Sequence, residues 1–457
     1  MPSNPILQAE WRLRAVRLHQ SGKTEEAQRD YAAYLSRYPD DHGIWSNLGA
    51  LLRRAGRHEL SLRAHERANA SGVTDKGIRN NYANILSDLG RYDDSLAIRR
   101  SLLAEFPDDA DQKAMIGRCY RGKGDYEAAI DWLTMAVVDH PNHAELRIQL
   151  AFAQLGAGDY ANAFETYRAR WQGDELTPRN LPWPEWRGED VDGKTVLVLT
   201  EQGFGDAVLF TRFLPWLKSR GARVLYLSER PMLRLFDRLD GADWVGKTMP
   251  EGEQVDFWVN MMDLPLIGLE TEADIPAPTR LNVPADSVDR AKAITAPHRD
   301  RFRVGVVWTG SATYKGNAFR SFGHRDFHPL IDVPGVQLFS LYKGPYLDAF
   351  HADGTSALIV DTASTDRDFA DCAATMQEMD LIITSDTATA HIAGSLGLPT
   401  WVVLHWDAFW VYRHSGDTTP WYPSMRLYRQ DAPLDWGSAL SKVETDLRAL
   451  VAARKAK

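Results

Sequence analysis

The first third of the chain alternates apolar helical stretches with short polar turns on a step of 34 residues. Five glycines keep that step, Gly22, Gly56, Gly90, Gly124 and Gly158, and the pattern ends before residue 192. Five residues after each stands a small side chain, Ala27, Ser61, Ser95, Ala129 or Ala163, where two helices can approach closely. Pro39, Pro107 and Pro141 follow their glycines by 17 residues, with Val73 the exception, and Tyr92, Tyr126 and Tyr160 follow theirs by two. Each unit therefore predicts helix, glycine turn, helix, and a proline that cannot continue the second helix. Asp40, Asp108 and Asn142, directly after the prolines, are suited to cap the next helix. One such hairpin cannot bury its own apolar face, so neighbouring units are expected to stack into a right-handed superhelix with a concave groove.

Past the array the pattern changes twice. Gln172 to Gly193 holds Pro178, Pro182 and Pro184 with no helical period, which predicts a linker, and Trp183 and Trp186 are expected to pin it to the next domain. From Lys194 onward short β-branched runs alternate with helical stretches. Strands are predicted over 195–200, 224–227 and 255–259, with helices from the Glu201–Asp206 loop to Arg220 and over 230–239. The rhythm restarts near Arg303, with strands over 304–308, 337–341, 357–360, 381–384 and 401–404, helices over 368–377 and 387–396, and a last helix over 437–453. Strand, glycine loop, helix, strand is the signature of a parallel sheet. The expected organisation is an array of about five repeats over 1–171, a linker over 172–193, and two α/β halves over 194–298 and 299–457. A ligand cleft is expected between the halves, beyond the carboxyl ends of their strands.

Composition narrows the function. At 457 residues the chain exceeds one ordinary core, and 44% hydrophobic with 25% charged residues fits a soluble globular protein. A net charge of −9 argues against broad nucleic-acid binding. Cys119 and Cys372 stand far apart with no CxxC companion, so neither a disulfide framework nor a zinc site is expected. Met1 to Gln8 lacks an apolar leader, and no stretch approaches a membrane span, so a cytoplasmic protein without an integral membrane segment is expected.

Three loops at predicted strand ends carry candidate chemistry. In Glu201-Gln202-Gly203-Phe204-Gly205-Asp206 the glycines let backbone approach a ligand, and Asp206 stands where a helix begins. A plain helix cap is the competing role for Asp206, and the third glycine of a dinucleotide fingerprint is missing. Thr309-Gly310-Ser311, with Lys315 and Arg320 close behind, suits a phosphate group or is a solvated surface loop. Ser385-Asp386-Thr387-Ala388-Thr389-Ala390-His391 places hydroxyls and an aspartate at a helix start, with Thr387 and His391 on one face; it is an anion site or a capped helix with a core histidine. The pairs Asp190/Asp192 and Asp366/Asp368 fall in the linker and at a helix cap, so no metal is expected at either. Trp410, Arg413, His414, Trp421 and Tyr422 follow a strand end, where aromatics could stack on a base or sugar or fill the core.

The repeat positions resemble tetratricopeptide repeats. E-Q-G-F-G-D together with D-T-A-T-A-H-I-A-G-S-L-G-L-P resembles the heptosyltransferase-type glycosyltransferases. The order of repeats, W-P-E-W, E-Q-G-F-G-D, W-T-G-S, R-S, L-Y-K-G, D-T-A-T-A-H and W-Y-P-S-M-R-L-Y-R-Q is similar to bacterial tetratricopeptide-repeat glycosyltransferases over nearly the whole chain. That resemblance implies a multidomain α + α/β fold: an α-superhelix followed by a GT-B pair of Rossmann-like domains, acceptor side first and nucleotide-sugar side second. It implies Asp206 as general base toward an acceptor hydroxyl, and Thr309, Lys315, Asp386, Thr387 and His391 around the nucleotide diphosphate. Gly205, Gly310, Ser311, Arg320, Lys343 and Ala388 complete the implied donor side. No metal is needed for an inverting transfer if cations and a helix tip neutralise the leaving group.

Asn47 and Asn81 occupy equivalent groove positions, nine residues before their glycines, while Leu13, Met115 and Gln149 take the other rungs. By similarity to repeat-bearing protein O-glycosyltransferases, such asparagines bind an acceptor peptide backbone, with flagellin one acceptor by analogy. A helical partner or oligomerisation fits the groove equally. Two alternatives stay open: a transferase for lipid-linked or polysaccharide acceptors, and a repeat scaffold whose catalytic half has lapsed.

Overall fold

The computed structural model describes residues 5–70, 72–173, 176–314 and 316–455. They form two compact units, Met1–Gln149 and Leu150–Lys457.

The first unit is built from helical hairpins: α1 (Pro5–Gln20) with α2 (Thr24–Arg37), α3 (His42–Arg54) with α4 (His58–Ala68), α5 (Lys76–Asp88) with α6 (Tyr92–Glu105), and α7 (Ala110–Gly122) with α8 (Tyr126–Asp139). A fifth pair, α9 (Ala144–Ala157) and α10 (Tyr160–Tyr167), continues the period. The five repeat glycines all turn at positive φ, between 71° and 82°, which is why no other residue keeps the step. Ala27, Ser61, Ser95, Ala129 and Ala163 are wholly buried. Ser61 and Ser95 donate to the carbonyls of Gly49 and Ala83, both at 2.8 Å, and so lock the two helices of a hairpin where they cross.

The caps fall one residue later than expected. Asp41, Asp75 and Asp109 accept from the amides of Ile44 (3.0 Å), Ile78 (2.9 Å) and Gln112 (3.2 Å), while Asp40 and Asp108 are spent in the turn after proline. Packing within a hairpin is as close as the small residues allow. A Cβ on Gly117 would stand 2.4 to 2.6 Å from three atoms of Leu133. Gly117→Ala should cost about 1–3 kcal/mol in urea unfolding, and an unchanged midpoint would show that Leu133 repacks freely.

The second unit holds two all-parallel sheets. In chain order its elements are β1 (Thr195–Leu199), α11 (Phe204–Phe210), α12 (Leu214–Ser219), β2 (Arg223–Leu227), β3 (Trp244–Gly246), β4 (Phe257–Asn260) and α13 (Ala285–Thr295). Then follow β5 (Phe302–Val307), α14 (His328–Ile331), β6 (Val336–Ser340), α15 (Leu347–Ala352), β7 (Ile359–Asp361), α16 (Phe369–Gln377), β8 (Leu381–Ser385), α17 (Ala388–Ser395), β9 (Thr400–Leu404), β10 (Met425–Arg429) and α18 (Trp436–Lys455). The strand orders are β3-β2-β1-β4 and β7-β6-β5-β8-β9-β10. Each sheet winds outward from its first strand and returns to that strand's other side. The switch points therefore lie between β1 and β4 and between β5 and β8.

Three elements differ from expectation. The predicted helix over 230–239 is a single 3-10 turn, Arg230–Met232, opened by Pro231 and broken by Arg238 at φ 56°. β3 and β10 were not foreseen: one has three residues, and the other carries Arg426 and Arg429 among its apolar positions. The linker is not loose. Glu185 bridges Trp258, with Trp186 N–H donating to the Trp258 carbonyl (2.7 Å) and Trp258 N–H to that of Pro184 (3.0 Å), so it runs along β4.

The period and the packing end at different places. α10 follows the repeat rule, yet Tyr160, Phe164 and Tyr167 belong to the core of the second unit with Phe210, Trp410 and Trp421. Phe164 meets the rings of Phe210 and Trp410 edge-on, with centroids 6.1 and 6.0 Å away, and Trp421 Nε1 donates to the Tyr160 hydroxyl at 3.2 Å. Trp410 and Trp421 are thus core residues and not stacking platforms for a ligand.

Candidate functional site

Both ends of the loop after β1 are held. Arg170, just past α10, grips the Glu201 carboxylate with two bonds (2.7 and 3.0 Å) and reaches Asp263 at 2.9 Å. Glu201 also accepts from Met262 N–H (3.0 Å) beyond β4, so the network spans the switch point. Gln202 Nε2 donates to the Tyr167 hydroxyl at 2.9 Å. At the far end Gly203 N–H donates to Asp206 Oδ2 (3.1 Å): Gly203 holds the cap position, and Asp206, the third residue of α11, bonds back to it and does not cap the helix itself. Arg170 and Tyr167 carry no motif, and nothing in the repeat period marks them.

Asp206 is half-buried, and its carboxyl is pushed up to about 7. Burial is the main cause, reinforced by the carboxylates of Asp386 and Glu201 and opposed by the Gly203 amide and Arg320. The helix tip beyond β8 is what faces it. A Cβ on Gly205 would stand 2.9 Å from His391 Cδ2 and 3.5 Å from Ala388 Cα, so glycine lets the starts of α11 and α17 touch. Asp206, Gly205, Asp386, Ala388 and His391 are accordingly brought together.

Thr387 occupies the cap position of α17, but its side chain makes no capping bond; its hydroxyl lies 3.3 Å from that of Thr384. Asp386 does not cap either. It is buried with a raised pKa, burial outweighing the nearby Arg320 and His405. The first amides of α17 therefore keep the positive helix end without a side-chain acceptor. His391 is buried and pushed down to about 3, by desolvation first and then by Arg212 and Arg320, so it is neutral near pH 7. Its Nδ1 shares a hydrogen bond with the Tyr422 hydroxyl (3.1 Å), which fixes the ring and leaves Nε2 on the side of Gly205. Ser385 Oγ and His405 Nδ1 lie buried nearby without a hydrogen-bond partner, each costing about 1–3 kcal/mol unless a ligand meets it.

The loop after β5 is tied by Asn317. Its side chain donates to Thr309 Oγ1 (2.9 Å) and accepts from Gly310 N–H (3.1 Å) and Arg320 Nε (3.3 Å). A Cβ on Gly310 would stand 2.7 Å from an Arg320 nitrogen, so that glycine makes room for the guanidinium. Ser311 is exposed and bonds Thr313 (2.8 Å), and Lys315 lies outside the described residues. Arg320 stacks on Tyr314 (4.6 Å) and is the cation felt by Asp206, Asp386, His391 and His405 alike. Lys343 donates to the Asp366 backbone carbonyl, beside a carboxyl pushed up to about 7 chiefly by burial. Asp368 accepts from Ala370 N–H (3.0 Å), a helix cap as expected. Among the described residues no group of three His, Cys, Asp or Glu side chains is placed to hold a metal.

In the first unit Asn47 and Asn81 are half-buried and already engaged. Asn47 hydrogen-bonds the Tyr31 side chain, and Asn81 donates to Ser46 Oγ at 3.1 Å. Among the described residues no helix is long and apolar enough to cross a membrane.

Tetratricopeptide-repeat family models match residues 9–51 and 83–144. Protein FlbA of Caulobacter vibrioides is 28% identical over 294 residues, covering 59% of this chain and 48% of that protein. The chain thus spans about half the length of the curated relative it matches. Among solved structures, MamA of Desulfovibrio magneticus RS-1 aligns with a TM-score of 0.33 at 19% identity, over 36% of this chain and 94% of that one. A tetratricopeptide repeat protein of Parabacteroides merdae aligns at 0.32 and 18%, over 36% and 65%. The chain carries tetratricopeptide repeats followed by an α/β region of two parallel sheets.

Proposed function

We propose that this protein is an inverting glycosyltransferase of GT-B architecture. It would move a sugar from a nucleotide-sugar donor to a hydroxyl of a protein acceptor recruited by the repeats, flagellin being one candidate. One juxtaposition carries this: a half-buried carboxyl at the end of β1, raised to about 7, stands against an uncapped helix tip at the end of β8. Carboxyl ends of strands at switch points are where doubly wound sheets bind ligands.

In the step so assigned, the acceptor oxygen attacks the anomeric carbon as the bond from that carbon to the donor phosphate breaks. The acceptor proton passes to Asp206, whose pKa suits a base near neutrality. The leaving nucleotide phosphate keeps the electron pair, and its charge meets the α17 amides and Arg320. Neutral His391 offers a hydrogen bond from Nε2 without a competing charge.

Thermal shift with UDP, GDP, ADP, CMP and dTDP tests the donor site, because a ligand that binds only the folded state stabilises it by RT ln(1 + [L]/Kd). At least one nucleotide should raise the melting temperature, and Arg320→Ala should abolish that rise. If none does at millimolar concentration, the second unit is no nucleotide-sugar site and the chain is a repeat scaffold.

A further inference from the structure

The run W-Y-P-S-M-R-L-Y-R-Q closes on Gln430, the first residue past β10. Gln430 is 4% exposed, and its Oε1 accepts from two backbone amides, Trp406 N–H at 3.0 Å and Leu434 N–H at 3.1 Å. Only the oxygen of an amide can accept, so these two bonds settle which way the group is turned. Nε2 is then left buried with no partner among the described residues. A buried donor left unmet is costly, and the two backbone bonds give this one no freedom to turn away.

The neighbouring strand repeats the feature. Leu404 of β9 is in register with Arg429 of β10, so His405 and Gln430 are the next positions on adjacent strands. His405 Nδ1 is buried and unpartnered as well, a donor or an acceptor according to tautomer. Burial holds that ring below its ordinary pKa, against the Asp386 and Asp407 carboxylates, and keeps it neutral near pH 7. Asp386 follows β8, the next strand in the sheet, and its carboxyl and His405 each act on the other. Three adjacent strands thus end in a carboxyl, an imidazole and an amide, and the segment 405–409 is half-buried throughout.

Such a set does not suit a phosphate, which only accepts. It suits hydroxyls, each of which can accept from Gln430 and donate to a carboxyl oxygen or an imidazole nitrogen. We propose that Gln430 and His405 hold ring hydroxyls of the sugar carried by the donor, beside the phosphate site at the start of α17. This rests on the transferase reading and extends it from where the leaving group sits to what reads the sugar. Arg320, the cation assigned to that leaving group, acts on both Asp386 and His405, so the two parts of the site adjoin. Ribose hydroxyls share this chemistry, and a free nucleotide carries them without the sugar.

The test is isothermal titration of the full chain with UDP-glucose, UDP-N-acetylglucosamine, GDP-mannose, ADP-glucose, dTDP-glucose and CMP-N-acetylneuraminate, each beside its own free nucleotide. At least one nucleotide sugar should bind about fivefold tighter or more than its nucleotide, as hydrogen bonds that meet buried donors predict. Gln430→Glu keeps an oxygen for both backbone amides but replaces the donor, and should erase that advantage. His405→Phe, which adds no charge, should erase it too, while the free nucleotide keeps its affinity within about threefold. No nucleotide sugar binding tighter than its nucleotide, an advantage that survives either variant, or equal weakening of nucleotide and nucleotide sugar by His405→Phe, the mark of a ribose site, would each overturn the proposal. Failure of every free nucleotide to bind would remove the transferase reading along with it, whereas nucleotide binding without a gain from the sugar removes this pocket alone.

Discussion

Asp206→Asn should lower sugar transfer by about 10²–10⁴-fold, the range lost with a positioned general base. The nucleotide-induced thermal shift should survive, because the asparagine oxygen can still accept from Gly203 N–H and keep the start of α11 intact. The pH dependence separates a base from a structural carboxyl more sharply. With the folded carboxyl raised to about 7, the basic form accumulates only above that pH, and the rate should climb through it. Stability should move the other way. An unfolded aspartate releases its proton near pH 4, so between roughly 4 and 7 the folded state holds the extra proton and loses stability as pH rises. Asp206→Asn should flatten both slopes. A wild-type rate that stays level from pH 6 to 8 would reduce Asp206 to a structural partner of Gly203.

The second large effect concerns where the chain can be cut. Residues 144–457, starting at α9, should be obtained folded, whereas residues 172–457 should not. The shorter piece lacks Tyr160, Phe164 and Tyr167 from its core, and Arg170 from between Glu201 and Asp263. Loss of a core aromatic costs about 3–5 kcal/mol, and stripping the partner from a buried carboxylate costs about as much again. Together these rival the whole stability of a domain, about 5–15 kcal/mol. Near-UV circular dichroism and a cooperative melt would tell the two pieces apart, and a folded 172–457 fragment would refute the assignment of α10 to the second core. Within the full chain, Arg170→Met alone should cost about 3–5 kcal/mol by the same reasoning.

Legibility in the sequence tracks the range of each interaction. The glycine turns, the buried small positions and the strand ends are local, and residues such as Gly56, Ser61 and the 195–199 run announce them. Asp206 and the tip of α17 were legible as neighbours because each follows a strand that leads to a switch point. Arg170, Tyr167 and His405 were not, since their importance arises only when distant elements pack. The misplaced caps have a smaller cause: proline draws its next residue into a turn, so the capping role moves from Asp40 to Asp41. His391 was legible as a candidate, but its charge state was not, because a core of Tyr412, Tyr422 and Phe409 rings is a tertiary fact.

The double membership of α10 bears on how such a chain can change its length. A whole 34-residue module could be gained or lost among the earlier hairpins, where one copy's neighbours resemble another's. The last module has no such freedom, because its far side is fitted to Trp410, Trp421 and Gln202. Any recombination that lengthens the array must enter upstream of it, so the hairpin nearest the sheets is the one that duplication cannot replace.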